Sequence, residues 1–212
     1  MGKGPRHRGA INNPAVFARN FIQGRLSGFK KDMNICLTGT EKQSGTGKTH
    51  AYFPALAACC GMMEYLTALY LGKIKGIGWQ QVSLWANQYL PQPDYDQDAV
   101  RILVDAFRNS VAHRGIASGI WVDKKPGPGL GRRLTWKVLA DARRPAIRIV
   151  SEDGILKKDP PWDCPYTHRV HIHLKSMKVD IRNAADSYIN DVRTDQDLQR
   201  KFVNCMRKLY PA

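Results

Sequence analysis

The segment that most constrains the fold of this 212-residue chain is residues 51–71, which are apolar on every side of a helix. Glu64 is the only charged residue in that segment. A helix that is apolar all round is either buried at the centre of a protein or spans a membrane. Glu64 near the middle and Pro54 near the start favour the buried helix, and no second candidate span follows. We therefore predict a central helix in a mainly α fold, with no membrane partner.

A carboxylate in the middle of this helix requires compensation, because an unpaired charge away from water is costly. The sequence favours Arg108 as the partner of Glu64. One alternative stays open at this point, in which Glu64 reaches solvent at the edge of the helix.

A second amphipathic helix is predicted over residues 96–114. At 100° per residue its core-facing stripe consists of Val100, Leu103, Val104, Phe107 and Val111. Asn109 and His113, one turn apart, project from the opposite side beside Ile102 and Ala106. Because that side mixes apolar and polar residues, we expect it to face a partner.

Arg108, Asn109 and His113 resemble the signature of the HEPN superfamily, an Arg-x4-His pattern with a polar residue directly after the Arg. Many HEPN proteins are helical ribonucleases that need no metal and work as dimers, with the two motif helices facing across a cleft. The resemblance implies a HEPN-like bundle, and an endoribonuclease site composed of these three residues from two copies, with Glu64 in support. It covers residues 50–115 well and the rest of the chain loosely.

The residue types of this motif suit RNA cleavage without a metal or other cofactor. His113, with an ordinary pKa of ~6.5, can act as base or acid near neutral pH. Arg108 can hold two phosphate oxygens at once, and Asn109 can orient the His or the phosphate. The expected products carry 2′,3′-cyclic phosphate and 5′-hydroxyl ends.

Two alternatives to the nuclease remain open at the level of sequence. One is a non-catalytic HEPN-like module that binds nucleotide or RNA. The other is a dimerising protein of mobile-element or defence origin, in which Arg108 and His113 form only a polar interface. Some HEPN toxins carry a Tyr two residues after the motif His, where this chain has Gly115, so an antitoxin or regulatory partner stays unassigned.

The charge of the chain favours polyanionic partners, with 33 Lys and Arg against 18 Asp and Glu and a net charge of +15. The excess lies in residues 1–50 and 116–212, whereas residues 51–115 are balanced. A basic loop at 124–133 supplies the predicted RNA contacts, which are Lys124, Lys125, Arg132 and Arg133.

The whole chain is predicted to form one HEPN-like domain over residues 1–212. Its helices are expected at about 14–28, 51–72, 79–90, 96–114 and, at the C-terminus, 177–212, with a break near Thr194 and Asp195. The other parts are a flexible basic arm at 1–13, a flexible loop at 38–49 and a basic β-containing insertion at 116–176. The insertion is expected to hold a small antiparallel sheet, with strands at 134–139, 146–150 and 169–174.

One further pattern resembles a nucleotide-binding motif but lacks an essential residue. Residues 44–49 resemble the end of a phosphate-binding P-loop, but Lys42 stands where the pattern requires its first Gly. We expect a basic loop there and no NTPase site, although Lys48 and the glycine amides are able to touch phosphate.

A metal site is not expected. His168, His171 and His173 are close in sequence, but no Cys or carboxylate completes a ligand set. We expect these His to face solvent or to contact phosphate. The five Cys include no CxxC pair, and the N-terminus has no apolar signal segment, which together predict a cytoplasmic protein.

Overall fold

The computed structural model describes residues 13–42, 52–108, 120–124, 129–157 and 163–210, with backbone alone at 39–42 and 157. It is mainly helical, with a small four-stranded mixed sheet. The helices are α1 (Pro14–Lys42), α2 (Tyr52–Leu71), α3 (Trp79–Tyr89), α4 (Gln97–Arg101), a π-helix (Ile102–Arg108), α5 (Leu174–Thr194) and α6 (Gln196–Leu209). The strands are β1 (Trp121–Val122), β2 (Arg133–Leu139), β3 (Ile147–Lys157) and β4 (Asp163–His173).

The predicted central helix is confirmed as α2, which packs against α1, α3, α5 and α6. Its largest fully buried side chains are Leu56, Met63, Leu66 and Leu69. By length and composition α2 is also the one described helix that could cross a membrane. Its packing among four other helices is that of a core helix.

Helix α1 is longer than predicted, because it continues from Pro14 to Lys42 instead of ending near residue 28. Phe29, Met33 and Leu37 extend the buried stripe at helical spacing. The predicted loop at 38–49 is therefore helical as far as Lys42. Its remainder, with Lys48, lies outside the described residues, as does the arm at 1–12.

The sheet is mixed, so the prediction of an antiparallel sheet is wrong. Its strand order is β1-β2-β4-β3, and only β2 and β4 run parallel. The reason lies in the connections, since β2, β3 and β4 run up, down and up, and β4 inserts between the other two. Strand β4 begins at Asp163, six residues before the predicted start at 169, so Cys164 is part of the sheet.

The predicted motif helix begins as expected but changes its winding. Asp96 caps α4 by accepting a 2.8 Å hydrogen bond from the backbone N–H of Ala99. From Ile102 to Arg108 the chain forms a π-helix, a winding that often occurs at functional sites. Residues 109–119 lie outside the described residues.

Two residues of the predicted partner-facing side of this helix, Ile102 and Ala106, are buried, which corrects the prediction. Ile102 is fully buried and Ala106 is 1% exposed, so neither offers a surface to a second copy. Both sides of the helix are covered, because Ile102 and Ala106 are as deeply buried as Leu103, Val104 and Phe107 on the predicted core-facing side. A single amphipathic stripe was therefore the wrong expectation for this segment.

The C-terminal helices are confirmed, with the predicted break at Asp195. Its carboxylate accepts hydrogen bonds from the backbone N–H groups of Asp197 and Leu198, at 2.7 and 3.1 Å. This cap starts α6 and ends the continuous helix from Leu174.

Candidate functional site around Arg108 and Glu64

Arg108, the last residue of the π-helix, forms a two-point contact with Glu64 of α2. Its Nη2 donates to Glu64 Oε2 at 2.8 Å, and its Nε lies 2.7 Å from Oε1. The predicted pairing of the two residues is therefore confirmed. The geometry fixes the direction of the guanidinium, because a planar fork on a carboxylate allows one orientation.

The Glu64 carboxyl is in an environment that disfavours its charge. Burial raises the pKa of Glu64 above its ordinary value, and the hydrogen bond and charge of Arg108 offset only part of that rise. Because the folded-state pKa lies above the unfolded value, ionised Glu64 costs stability at neutral pH. The protein gains stability from this group as the pH falls through the raised pKa.

Replacing Arg108 by Met is expected to destabilise the protein by about 1–3 kcal/mol, because Glu64 then loses the cation that offsets its burial. This loss is below the ~3–5 kcal/mol of fully buried pairs, since 35% of the Arg108 side chain and 17% of the Glu64 side chain are exposed. Unfolding in guanidinium chloride measures the change.

Two further variants serve as controls for that measurement. Glu64→Gln should leave stability near its original value, because it removes the group that is costly to ionise. Glu64→Gln combined with Arg108→Met should recover part of the loss. An Arg108→Met protein that unfolds at the original denaturant concentration would show that the pair contributes nothing.

The surroundings of the pair are apolar and aromatic. Phe107 stacks on Phe53 of α2 with ring centroids 5.6 Å apart, and it makes a T-shaped contact with Trp136 of β2, at 5.4 Å between centroids. Cys60, one turn before Glu64, is buried, and burial followed by the charge of Glu64 raises the pKa of its thiol to about 12. Cys60 is thus a neutral core residue and not a nucleophile.

The other predicted catalytic residues, Asn109 and His113, lie outside the described residues. Asn109 follows Arg108 directly in the chain, and His113 comes five residues after Arg108. The structure therefore positions the first residue of the motif and its supporting carboxylate, and leaves the roles of Asn109 and His113 as predictions.

Arg132, predicted to contact RNA, is instead held within the protein. Its guanidinium donates to both carboxylate oxygens of Asp98, at 2.7 and 2.8 Å, and lies 3.4 Å from Asp123. Arg101 completes the cluster through two hydrogen bonds to Asp123, at 2.9 and 2.6 Å, and one to Asp98 at 2.9 Å. We call these four residues the acidic–basic cluster.

The acidic–basic cluster connects α4 to the segments that flank β1 and β2. Its most protected member is Asp123, whose side chain is fully buried. A Cβ at Gly129 would collide with the Arg132 guanidinium, so a larger residue there would displace Arg132. The i, i+3 spacing of Asp98 and Arg101 was visible in the sequence, but Asp123 and Arg132 give no local signal of their pairing.

The remaining predicted RNA contacts have different environments. Lys124 is exposed, Arg133 is half-buried with its backbone N–H donating to Thr167 Oγ1 at 3.0 Å, and Lys125 lies outside the described residues. Lys124 and Arg133 can therefore still contact RNA as predicted, whereas Arg132 is occupied by its carboxylate partners.

The three His of β4 have separate roles in the described structure. Nδ1 of His173 contacts Asp141, and Nδ1 of His168 lies 2.9 Å from Thr167 Oγ1. Burial, and next the charge of Lys137, lower the pKa of His171. No group of metal-ligating side chains occurs among the described residues.

Strand register places basic side chains on the sheet surface that faces away from the helices. His171 lies opposite Lys137 on β2 and Arg148 on β3, whereas the alternate residues Val170 and Ile172 are buried. Lys137 and Arg148 are both exposed. We call this the basic sheet face.

A further ion pair, between Arg144 and the buried carboxylate of Asp180, was not predicted. Arg144 donates to both oxygens of Asp180 at 2.6 and 2.5 Å, and the Tyr95 hydroxyl donates to Asp180 at 2.9 Å. Since Asp180 is 2% exposed, this contact fixes the β2–β3 connection on α5. It serves the fold and takes no part in the site around Arg108.

No protein-family model, curated protein or solved structure with which the chain was compared matches it. The case for a function therefore depends on the residues themselves and their geometry.

Proposed function

We propose that this protein is a metal-independent endoribonuclease of HEPN type. The observation that carries the proposal is the contact of Arg108 with Glu64, which holds the first motif residue in one orientation at the end of a π-helix. Asn109 follows directly and His113 four residues later. The +15 charge of the chain supports RNA as the substrate.

The chemistry assigns one task to each residue. His113 removes the proton of the 2′-hydroxyl or protonates the leaving oxygen, which is the role of a group with a pKa near neutrality. Arg108 stabilises the charge that develops on the phosphorane. Asn109 orients the His or the phosphate, and Glu64 fixes the Arg108 guanidinium. Lys124, Lys125 and Arg133 hold the RNA backbone.

A second function is favoured by the same ion pair. Contact with Glu64 gives Arg108 a structural reason to be present, which suits a HEPN-like module that binds RNA or forms dimers without cutting. Purified protein incubated with RNA in EDTA separates the two functions. Fragments with 2′,3′-cyclic phosphate ends support the nuclease, and intact RNA supports the binding module.

The composite site requires two copies of the chain, so we expect a homodimer at micromolar concentration. Sedimentation velocity measures the molecular mass in solution, for which one copy contributes 23.9 kDa. Because Ile102 and Ala106 are buried, the interface must depend on other residues than those two. A monomer at this concentration would contradict the composite site.

A further inference from the structure

A groove runs between α1 and α5, on a part of the molecule that no predicted site uses. It consists of two adjoining cavities of about 450 and 380 Å³, which share Lys178 and Val179 as lining residues. On α1 it extends from Gln23 to Thr38. At 1.5 Å per residue that is a length of about 22 Å, enough for several nucleotides of an extended strand.

Basic side chains line both walls of this groove. Lys30 lies on the α1 wall, and Lys175, Lys178 and Arg182 lie on the α5 wall. Asp186 is the one acidic residue in the lining, and it lies 3.9 Å from Arg182. The groove therefore carries a net positive charge in a concave surface.

The cations lie close enough to disfavour one another. Burial, followed by the charges of Lys30, Lys175 and Arg182, lowers the pKa of Lys178. The Lys178 ammonium donates a 2.6 Å hydrogen bond to the Asn34 side chain, which carries no charge. Anionic groups in the groove would relieve this repulsion.

We propose that the groove between α1 and α5 binds the phosphodiester backbone of single-stranded RNA. The choice of RNA as the polymer rests on the proposed function, whereas the site itself requires only a chain of regularly spaced phosphates. A basic groove that follows the backbone is a common way to bind single strands without sequence preference. Its concave walls fit a strand better than the flat surface of a membrane.

The test measures binding of a fluorescent 2′-O-methyl RNA, which lacks the attacking hydroxyl and so cannot be cut by the proposed reaction. The groove variant is Lys30→Gln with Lys178→Gln. Each phosphate contact contributes about 0.7 to the salt slope for a single strand, so two lost contacts should reduce the slope by about 1.4. Affinity at physiological salt should fall by about tenfold.

A matched control is available on the basic sheet face. Lys137→Gln with Arg148→Gln removes the same charge from exposed positions in another basic cluster and should retain the original affinity and salt slope. Neutralising Lys178 removes mutual repulsion, so the groove variant should also keep its melting temperature. Equal losses in the two variants would show a general charge effect and overturn the groove as a site.

Two other outcomes distinguish this proposal from a membrane-binding surface and from the proposed nuclease activity. In the first, the groove variant binds RNA as the original protein does but no longer binds vesicles that contain phosphatidylserine. This result would overturn the proposal in favour of a membrane-binding surface. Groove-dependent binding of 2′-O-methyl RNA together with no cleavage of ordinary RNA would support the groove while contradicting the nuclease.

Discussion

Replacing His113 by Ala is expected to lower the rate of RNA cleavage by ~10²–10⁴-fold, the usual contribution of general acid–base catalysis. Arg108→Ala should lower it by a similar factor, because charge on the phosphorane then lacks its cation. EDTA should leave the rate of the unaltered protein unchanged. Initial rates on a labelled RNA, with end-group analysis of the fragments, measure these effects.

RNA affinity should change far less than the rate in both variants. Most of the binding free energy comes from distributed phosphate contacts, of which each substitution removes at most one. A large loss of rate with a small loss of affinity is the signature of interactions made mainly in the transition state. Affinity for 2′-O-methyl RNA provides the comparison.

His168→Ala is the matched control for His113→Ala. His168 is half-buried on β4 and contacts Thr167, and the proposal gives it no part in the reaction. The control should therefore cut RNA at the original rate. Cleavage retained by His113→Ala, or lost equally in both variants, would contradict the assigned role of His113.

The central helix and the need of Glu64 for a partner were predictable because both follow from local composition. A 20-residue apolar segment with one carboxylate requires burial and a partner, and Arg108 was the cation next to a core-facing stripe. The break before α6 was predictable for a similar reason, since Asp195 is a strong cap at the start of an amphipathic segment.

The sheet and the π-helix were not predictable from local pattern. Alternation identifies β2, β3 and β4 as strands, but their order depends on which strand inserts between the others. The prediction of an amphipathic stripe on the motif helix assumed a rotation of 100° per residue and only one buried side. The structure covers both sides, so Ile102 and Ala106 are apolar because they are buried.

The role of Arg132 shows why the composition of a basic loop does not identify which of its cations can contact RNA. The sequence gives no reason to distinguish the four basic residues of this loop, which are Lys124, Lys125, Arg132 and Arg133. In the structure, however, Arg132 contacts two carboxylates that lie 34 and 9 residues away in the chain. Ion pairs over such separations have no periodic signal. The net charge of a segment therefore overstates the charge that it offers to RNA.

Replacing Arg101 by Met in the acidic–basic cluster is expected to destabilise the protein by about 3 kcal/mol. The fully buried Asp123 carboxylate then loses its two-point partner, and breaking such a pair costs ~3–5 kcal/mol. We expect the lower end because Arg132 remains 3.4 Å away. The melting temperature should fall by roughly 6–12 °C for a protein of this size.

Arg200→Met is the matched control for that substitution. Arg200 pairs with Asp197 on α6, where both side chains are exposed to solvent, and such pairs contribute little to stability. Asp123→Asn combined with Arg101→Met should recover part of the loss, because it removes the buried charge. Arg132→Met should also lower the melting temperature, which a residue used only for RNA binding would not do.

The pH dependence of the Arg101→Met effect tests the same cluster independently. Burial acts to raise the pKa of Asp98, but the hydrogen bonds and charges of Arg132 and Arg101 outweigh it and hold the pKa below its ordinary value. A lowered folded-state pKa gives stability that is present above the unfolded value and is lost as the pH falls through the folded value. The stability difference between the original protein and Arg101→Met should therefore be largest near neutrality and shrink below about pH 4. A difference that stays constant down to strong acid would show that Arg101 stabilises the fold through packing of its side chain and not through the carboxylates.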